Sequence, residues 1–239
     1  MSTKYPGGFI TKSPVAPTSS AASGMWTLDQ AMQLKKQGTW GTLPAIGAAF
    51  GGGFFAGQIS TAGNGVADYN LVIGPVASAQ NTSKQWKTAN TSTTGTSSVI
   101  DGPTNSSNMN NASHPAAEFC EGLTIGGFSD WYMPAKNELE VCYYNLKPTT
   151  TSNNTSSGTN TNAVPSRGSN YTNSPSVPAQ TSAVDFQSTG AEPFGSSPYW
   201  SSTEASATTA GVQYFNSGNQ LNDPKTYTSR VRAIRRVAV

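Results

Sequence analysis

Charge is scarce in this sequence. Of its 239 residues, 14 are Lys or Arg and 12 are Asp or Glu, which leaves a formal net charge of +2. Nucleic-acid binders meet phosphates with clustered cations. Here the basic residues are scattered, apart from Arg230, Arg232, Arg235 and Arg236, so no nucleic-acid partner is expected. Cysteine is limited to Cys120 and Cys142, outside any Cys-x-x-Cys pair, which excludes a disulfide framework. His114 is the only histidine, so a zinc site of the usual Cys/His kind and a His-based triad both lack ligands or partners. No apolar run approaches the roughly 20 residues needed to span a bilayer, and no membrane insertion is expected. Met1–Phe9 has no apolar h-region, so no cleaved secretory signal is expected either.

Ser, Thr, Asn and Gly take the place of the missing charge. Their short side chains bond to nearby backbone and favour turns and loops. Nine Tyr, nine Phe and five Trp still provide bulk for a core. Tyr5–Ser23, rich in Pro, Ser, Ala and Gly, reads as an extended arm. Thr27-Leu-Asp-Gln30 has the form of a capping box, and it predicts a short helix from about Leu28 to Gln37, stopped by Gly38. Residues 1–50 are thus expected to form an arm with a short helix, and 51–239 a folded domain.

Within that domain Phe54–Ile59 and Tyr69–Ile73 read as a hairpin around the turn Ala62–Asp68. Asn81–Asn111 reads as a polar loop held down by Trp86, Val99 and Ile100. Ser113 can cap a helix that carries Pro115 in its first turn and ends at Gly122. Pro134 is expected to open a second helix, with an apolar stripe of Leu139, Cys142, Tyr143 and Leu146 and a stop at Pro148. Glu138 and Glu140 suit its positive end. Thr149–Thr189 is a second long polar tract. Strand signals return at Tyr199–Thr203, Gly211–Phe215 and Arg230–Val239. In the last, Val231, Ala233, Val237 and Val239 alternate with Arg230, Arg232 and Arg236, the pattern of a half-buried strand with a basic outer face. The order predicts an α+β chain with one mixed or antiparallel sheet.

Three ordered blocks carry a family resemblance: Gly126-Gly-Phe-Ser-Asp-Trp-Tyr-Met-Pro-Ala-Lys-Asn-Glu-Leu139, Tyr199-Trp-Ser-Ser-Thr-Glu204 and Val231-Arg-Ala-Ile-Arg-Arg236. Together they resemble the C-terminal domain of bacterial collagen-like adhesins. That family is similar to the C-type-lectin-like fold of phage receptor-binding tropism determinants and formylglycine-generating enzymes. The resemblance implies pairing of N- and C-terminal strands, two flanking helices and long variable loops on one face. Gly8–Ile10, Gly24–Leu28 and Gln33–Trp40 look like leader segments of marine phage structural proteins. The two resemblances imply a phage virion protein made in the host cytoplasm, a tail-fibre adhesin with a C-type-lectin-like domain, which binds rather than catalyses. A capsid or tail decoration protein without receptor binding is the alternative, and an oxidoreductase like the formylglycine enzymes a third reading. Those enzymes use a close cysteine pair late in the domain, and Cys120 and Cys142 do not match that position. They read instead as buried core residues or as a disulfide between the helices.

Of the motif residues, Asp130 is expected to cap a turn, Trp131 to pack beneath the second helix and Trp200 to lie in the core. Pro134, Glu138 and Arg232 complete the structural set. His114 is expected at the surface beside a helix start. Calcium-dependent lectins use paired carboxylate and amide motifs, which Glu192-Pro193-Phe194 and Asn222-Asp223-Pro224 echo faintly. No cofactor is expected, with calcium kept open. The terminal arginines could form a solvated face, a subunit contact or a site for phosphate or anionic glycan. Host-surface glycan or protein is the expected partner, met by Arg167, Asn170 and Tyr171 on the long loop. The arm would contact other virion proteins, and homotrimerisation is plausible by analogy with phage fibres.

Overall fold

The computed structural model describes residues 43–239; the predicted helix over Leu28–Gln37 and the arm before it lie outside the described residues. A compact unit runs from Ile46 to Val239. Its elements are strand β1 (Ala49–Phe50), β2 (Gly53–Ile59), β3 (Tyr69–Ile73), helix α1 (Val76–Ala79), β4 (Gln80–Gln85), α2 (Gly102–Ser107), α3 (Pro115–Glu121), α4 (Lys136–Leu146), β5 (Ala163–Val164), β6 (Tyr199–Glu204), β7 (Thr209–Gln213), β8 (Gln220–Pro224), β9 (Thr228–Arg232) and β10 (Ile234–Ala238). The class is α+β, as the alternation of signals predicts.

The expected hairpin forms: β2 and β3 pair antiparallel, from Phe54 opposite Ile73 to Ile59 opposite Tyr69. A bulge between Phe55 and Gly57 bends β2 against α4, where Asn145 Nδ2 donates to the Ala56 carbonyl at 2.8 Å. Gly57 sits there at φ +126°, and a Cβ on it would lie 2.3 Å from Asn145 Nδ2, so only glycine allows this approach.

The expected single sheet is in fact two. The first has the order β1-β2-β3-β10, with β5 also on β2; the second runs β4-β9-β6-β7-β8, with β6 and β9 parallel. The reason lies in the last strand signal. Arg230–Val239 is not one strand but two, and Ala233 hands the chain from β9 to β10. Its N–H donates to the Ala79 carbonyl and its carbonyl accepts from Gly74 N–H, at 2.9 and 3.0 Å, so the crossing point is hydrogen-bonded on both sides.

Two hydrophobic clusters fill the unit. The first joins Ile59 and Leu71 to the α4 stripe of Leu139, Cys142, Tyr143 and Leu146, and to Phe186, Phe194, Tyr199 and Phe215. The second joins Val72, Trp86, Trp131, Trp200 and Val231 to Ala116, Ala117 and Cys120 of α3. Each buried tryptophan removes on the order of 200 Å² from water, so three of them anchor a loop-rich unit that has few helices. Tyr132 pairs with Ile234 through two backbone bonds of 2.9 and 3.0 Å, and this extended stretch divides the clusters. Successive side chains of an extended segment point opposite ways. Trp131 therefore enters the cluster of α3, not the space beneath α4, and Tyr132 enters the cluster of α4.

Several element boundaries lie within a residue or two of their sequence signals. Pro115 opens α3 and Gly122 closes it, but the cap position is His114 and not Ser113. Pro134 precedes α4 without opening it. The helix starts at Lys136 with Ala135 at its cap, and Glu138 reaches back to accept from Ala135 N–H at 2.8 Å. The Asn81–Asn111 tract is more regular than expected, since it holds most of β4 and all of α2. Trp86 is fully buried and Ile100 packs on the first cluster, whereas Val99 is exposed and contributes only its carbonyl, which accepts from Asn137 N–H at 2.8 Å.

Candidate functional site

The motif blocks converge on a node of buried arginines. Arg235 makes a two-pronged contact with Asp130, Nε to Oδ1 at 2.6 Å and Nη2 to Oδ2 at 2.8 Å. Those hydrogen bonds hold the Asp130 carboxyl below its usual range. Arg236 Nε donates to Glu138 Oε1 at 2.7 Å, and Tyr132 OH donates to the same oxygen. Burial, then the neighbouring Glu138 carboxylate, pushes the Tyr132 phenol well above its usual range, so it stays a donor. Arg232 has a fully buried side chain; Nη2 meets Glu192 Oε2 at 2.6 Å and Nε meets the Gly74 carbonyl at 2.8 Å. Burial lowers its pKa to about 10, against the pull of Glu192, which still leaves it a cation near neutral pH.

This overturns the expected basic outer face. Of its three arginines Arg232 is buried and Arg236 is mostly covered, because Glu192 and Glu138 come down on the strand from the loop and the helix, while Arg230 is half-buried and has no carboxylate partner among the described residues; Arg235, outside that alternation, is buried against Asp130. The alternation that marks the strand is real, but it cannot show that the second face is also covered. Asp130 is a partner of Arg235 rather than a turn cap. Trp200 lies in the core as expected, and its Nε1 donates to the Lys84 carbonyl at 2.9 Å.

The long loop is fastened from below. Glu140 is fully buried and accepts from Asn160 Nδ2 at 2.6 Å, from the Tyr171 hydroxyl and from Arg167 Nη2. Arg167 also covers the Tyr144 ring at 4.0 Å. Of the three predicted contact residues, Arg167 and Tyr171 therefore point inward to Glu140. Asn170 alone is exposed, where its Oδ1 accepts from Thr159 Oγ1 at 2.7 Å. Lys147 is buried without a carboxylate, and its Nζ donates to the Thr151 and Pro178 carbonyls and to Asn153 Oδ1. Desolvation lowers its pKa.

His114 is not a surface residue: it is 5% exposed. Its ring lies edge-on to Trp86 at 5.6 Å and bonds to Asn111 Oδ1 and Thr93 Oγ1. Burial, then the nearby charges of Lys87 and Lys225, lowers its pKa to about 4. It therefore packs as a neutral ring. Cys120 and Cys142 are free, buried and in different clusters, so the disulfide between helices does not form. Desolvation raises both thiols. The calcium echoes are otherwise engaged. Glu192 serves Arg232 and Val76 N–H, and Asn222 and Asp223 lie in β8 opposite Gly211 and Ala210. Among the described residues no group of three or more His, Cys, Asp or Glu is placed to hold a metal ion, and no helix is long and apolar enough to cross a membrane.

A cavity of about 240 Å³ opens between the end of α4, the loop before β6 and the turn after β7. Pro148, Thr149, Ser188, Pro193, Phe194 and Asn216 are among its lining residues. The sequence marked Pro148 as a helix stop and Pro193-Phe194 as part of a calcium echo, but nothing in it joined these to Thr149, Ser188 and Asn216, because the cavity joins three distant segments that share no local pattern. No protein-family model matches the chain, and no curated protein matches it either.

Proposed function

We propose that this chain is a surface protein of a phage virion, a tail-fibre adhesin whose Ile46–Val239 unit is a C-type-lectin-like domain for recognition of the host cell. The observation that carries this reading is the convergence of the three resembling blocks. Asp130 and Glu138 of the first meet Arg235 and Arg236 of the third, while Ser202 N–H of the second donates to the Pro134 carbonyl of the first at 2.7 Å. Residues that define a family and also tie its interior together are scaffold, so function lies in what the scaffold displays. The return of β10 to the hairpin and the placement of α3 and α4 on separate clusters fit the fold that the resemblance implies.

Few charges are fully exposed on the displayed surface. Among the described charged residues only Glu118, Asp130, Lys136 and Asp185 are exposed. A surface of hydroxyls and amides suits adaptable contact with glycan or protein. The residues before Ile46 would serve as the arm to other virion proteins or to further copies, in a homotrimer by analogy with phage fibres; the expected boundary at residue 50 falls inside the unit, because Ala49 and Phe50 pair with β2. Immunogold labelling of intact particles with an antibody against Thr149–Thr189 tests the reading. Label at fibre or tail tips, with antibody block of adsorption, is expected. Label spread over the head would make the chain a decoration protein, and unlabelled particles that contain no copy of the chain would overturn the virion assignment.

A further inference from the structure

Asn64 and Gly65 form the only Asn-Gly step in the sequence, and they lie in the turn between β2 and β3. Both are exposed. The base of that turn is held in place. Ser60 N–H donates to the Asn162 carbonyl at 2.7 Å, Asp68 N–H to the Ile59 carbonyl at 2.9 Å, and Asp68 Oδ2 accepts from Thr61 N–H at 2.6 Å. Above it, Asn64 Oδ1 accepts from Ser60 Oγ and from Val66 N–H, each at 2.9 Å. Two donors thus fix the side-chain carbonyl. Asn64 Nδ2 and Gly65 N–H, by contrast, make no hydrogen bond among the described residues.

Each group is in the state that one reaction needs. The Gly65 nitrogen follows Asn64 directly in the chain, so nucleophile and side-chain amide are held together by the backbone itself. Gly65 has φ +80° and open space where a Cβ would stand, so no side chain obstructs the approach. The donors on Oδ1 polarise the carbonyl and stabilise the negative charge that develops there as nitrogen adds. Asn173 provides the contrast. It is exposed too, but Ser174 follows it with a Cβ, and Ser174 N–H is engaged by the Thr172 carbonyl at 2.7 Å.

We propose that Asn64 is a site of spontaneous modification, at which the side-chain amide is lost through a succinimide formed with Gly65. The bond from Gly65 N to Asn64 Cγ forms as the bond from Cγ to Nδ2 breaks, and the Gly65 amide proton leaves with Nδ2 as ammonia. Water then opens the ring. Addition at Cγ gives aspartate on an unchanged main chain, and addition at the Asn64 main-chain carbonyl gives isoaspartate. Either product lowers the formal net charge of +2 by one. The new charge appears at an exposed position of a surface that has few, so the chain acquires a second surface form without a change of gene or partner.

The test is to hold the full, folded chain in warm buffers of rising pH and to map its peptides over time by mass spectrometry. Enzymatic methylation of isoaspartate gives a second readout. Asn64 is expected to convert first, at least about tenfold faster than Asn173, and faster as pH rises because the attacking nitrogen must lose its proton. Asn64→Gln, whose longer side chain would have to close a larger ring, is expected to keep its charge over the same period. Gly65→Ala, with a Cβ in the path, is expected to slow the loss. Intact Asn64 at the end of the run, equal rates at Asn64 and Asn173, conversion of Asn64 only after denaturation in urea, or a charge loss that persists in Asn64→Gln would each overturn the proposal.

Discussion

The C-terminal strands β9 and β10 and the tract Thr149–Thr189 bury polar groups in opposite ways. At β9 and β10 the interior is charged: Arg232, Arg235 and Arg236 each meet a carboxylate, and Arg232 has no exposed side-chain surface. Under the long tract most bonds join uncharged groups. Asn153 bonds to Tyr143 and to two carbonyls, and Lys147 is held by carbonyl and amide oxygens. The exceptions are Lys147, which has no carboxylate beside it, and Glu140, with Arg167 as its partner. A chain with little charge has thus placed much of it inside. Ion pairs fix the sheets where two of them join, and bonds to amide and carbonyl groups, with the single Glu140–Arg167 pair, hold a loop on which Asp185 is the one exposed charge.

The largest expected effect comes from the charged end. Removing one partner of a buried ion pair strands the other, at a cost of about 3–5 kcal/mol. Arg232→Ala strands Glu192 and also leaves the Gly74 carbonyl without its donor. Urea denaturation is expected to show a loss in that range, or no folded protein at all; a loss below about 1 kcal/mol would mean that the pair is not part of the scaffold. Glu140→Gln makes the matching break under the loop. It keeps the shape but weakens the grip on Arg167 and Tyr171, with an expected loss of about 1–3 kcal/mol. Hydrogen exchange should then quicken over residues 153–171 while β2 and β3 stay protected. Equal quickening in both places would erase the distinction between loop and scaffold.

Much of the scaffold was legible because its signals are local. The α4 stripe, the hairpin and the Pro115 and Gly122 boundaries follow from spacing and from the conformational limits of proline and glycine. The split at Ala233 leaves one trace in the sequence, Ile234 and Arg235 out of phase with the Val and Arg alternation, but period alone does not say which sheet a strand joins. The fate of the arginines was hidden for the same reason. A strand with arginines on one face looks solvated until Glu192 and Glu138, distant in sequence, are seen to cover it. At the candidate site, loop position pointed to Arg167, Asn170 and Tyr171, yet two of these are tied inward by Glu140, whose own signal was read as a helix-dipole preference. The cavity itself carries no sequence signal, since Pro148, legible as a helix stop, and Phe194 and Asn216 meet only in three dimensions.

The smallest expected effect tests whether burial, and not pairing alone, separates the arginine contacts. Asp130 and Arg235 have good two-pronged geometry, but the Asp130 side chain is 56% exposed, whereas that of Glu138, the partner of Arg236, has no exposure. Solvent screens the exposed pair, so Asp130→Asn should cost less than about 1 kcal/mol. Its pH dependence follows from the lowered carboxyl pKa. In the unfolded chain the group titrates near 3.8, and in the folded chain lower, so the pair's contribution is complete above the unfolded value and is lost as pH falls through the folded one. Melting curves of the native chain and Asp130→Asn should therefore differ by a small constant above pH 5 and converge below the folded pKa. A gap of several kcal/mol at neutral pH would mean that Asp130 is shielded as deeply as Glu138, and that the node carries its charge to the surface without weakening.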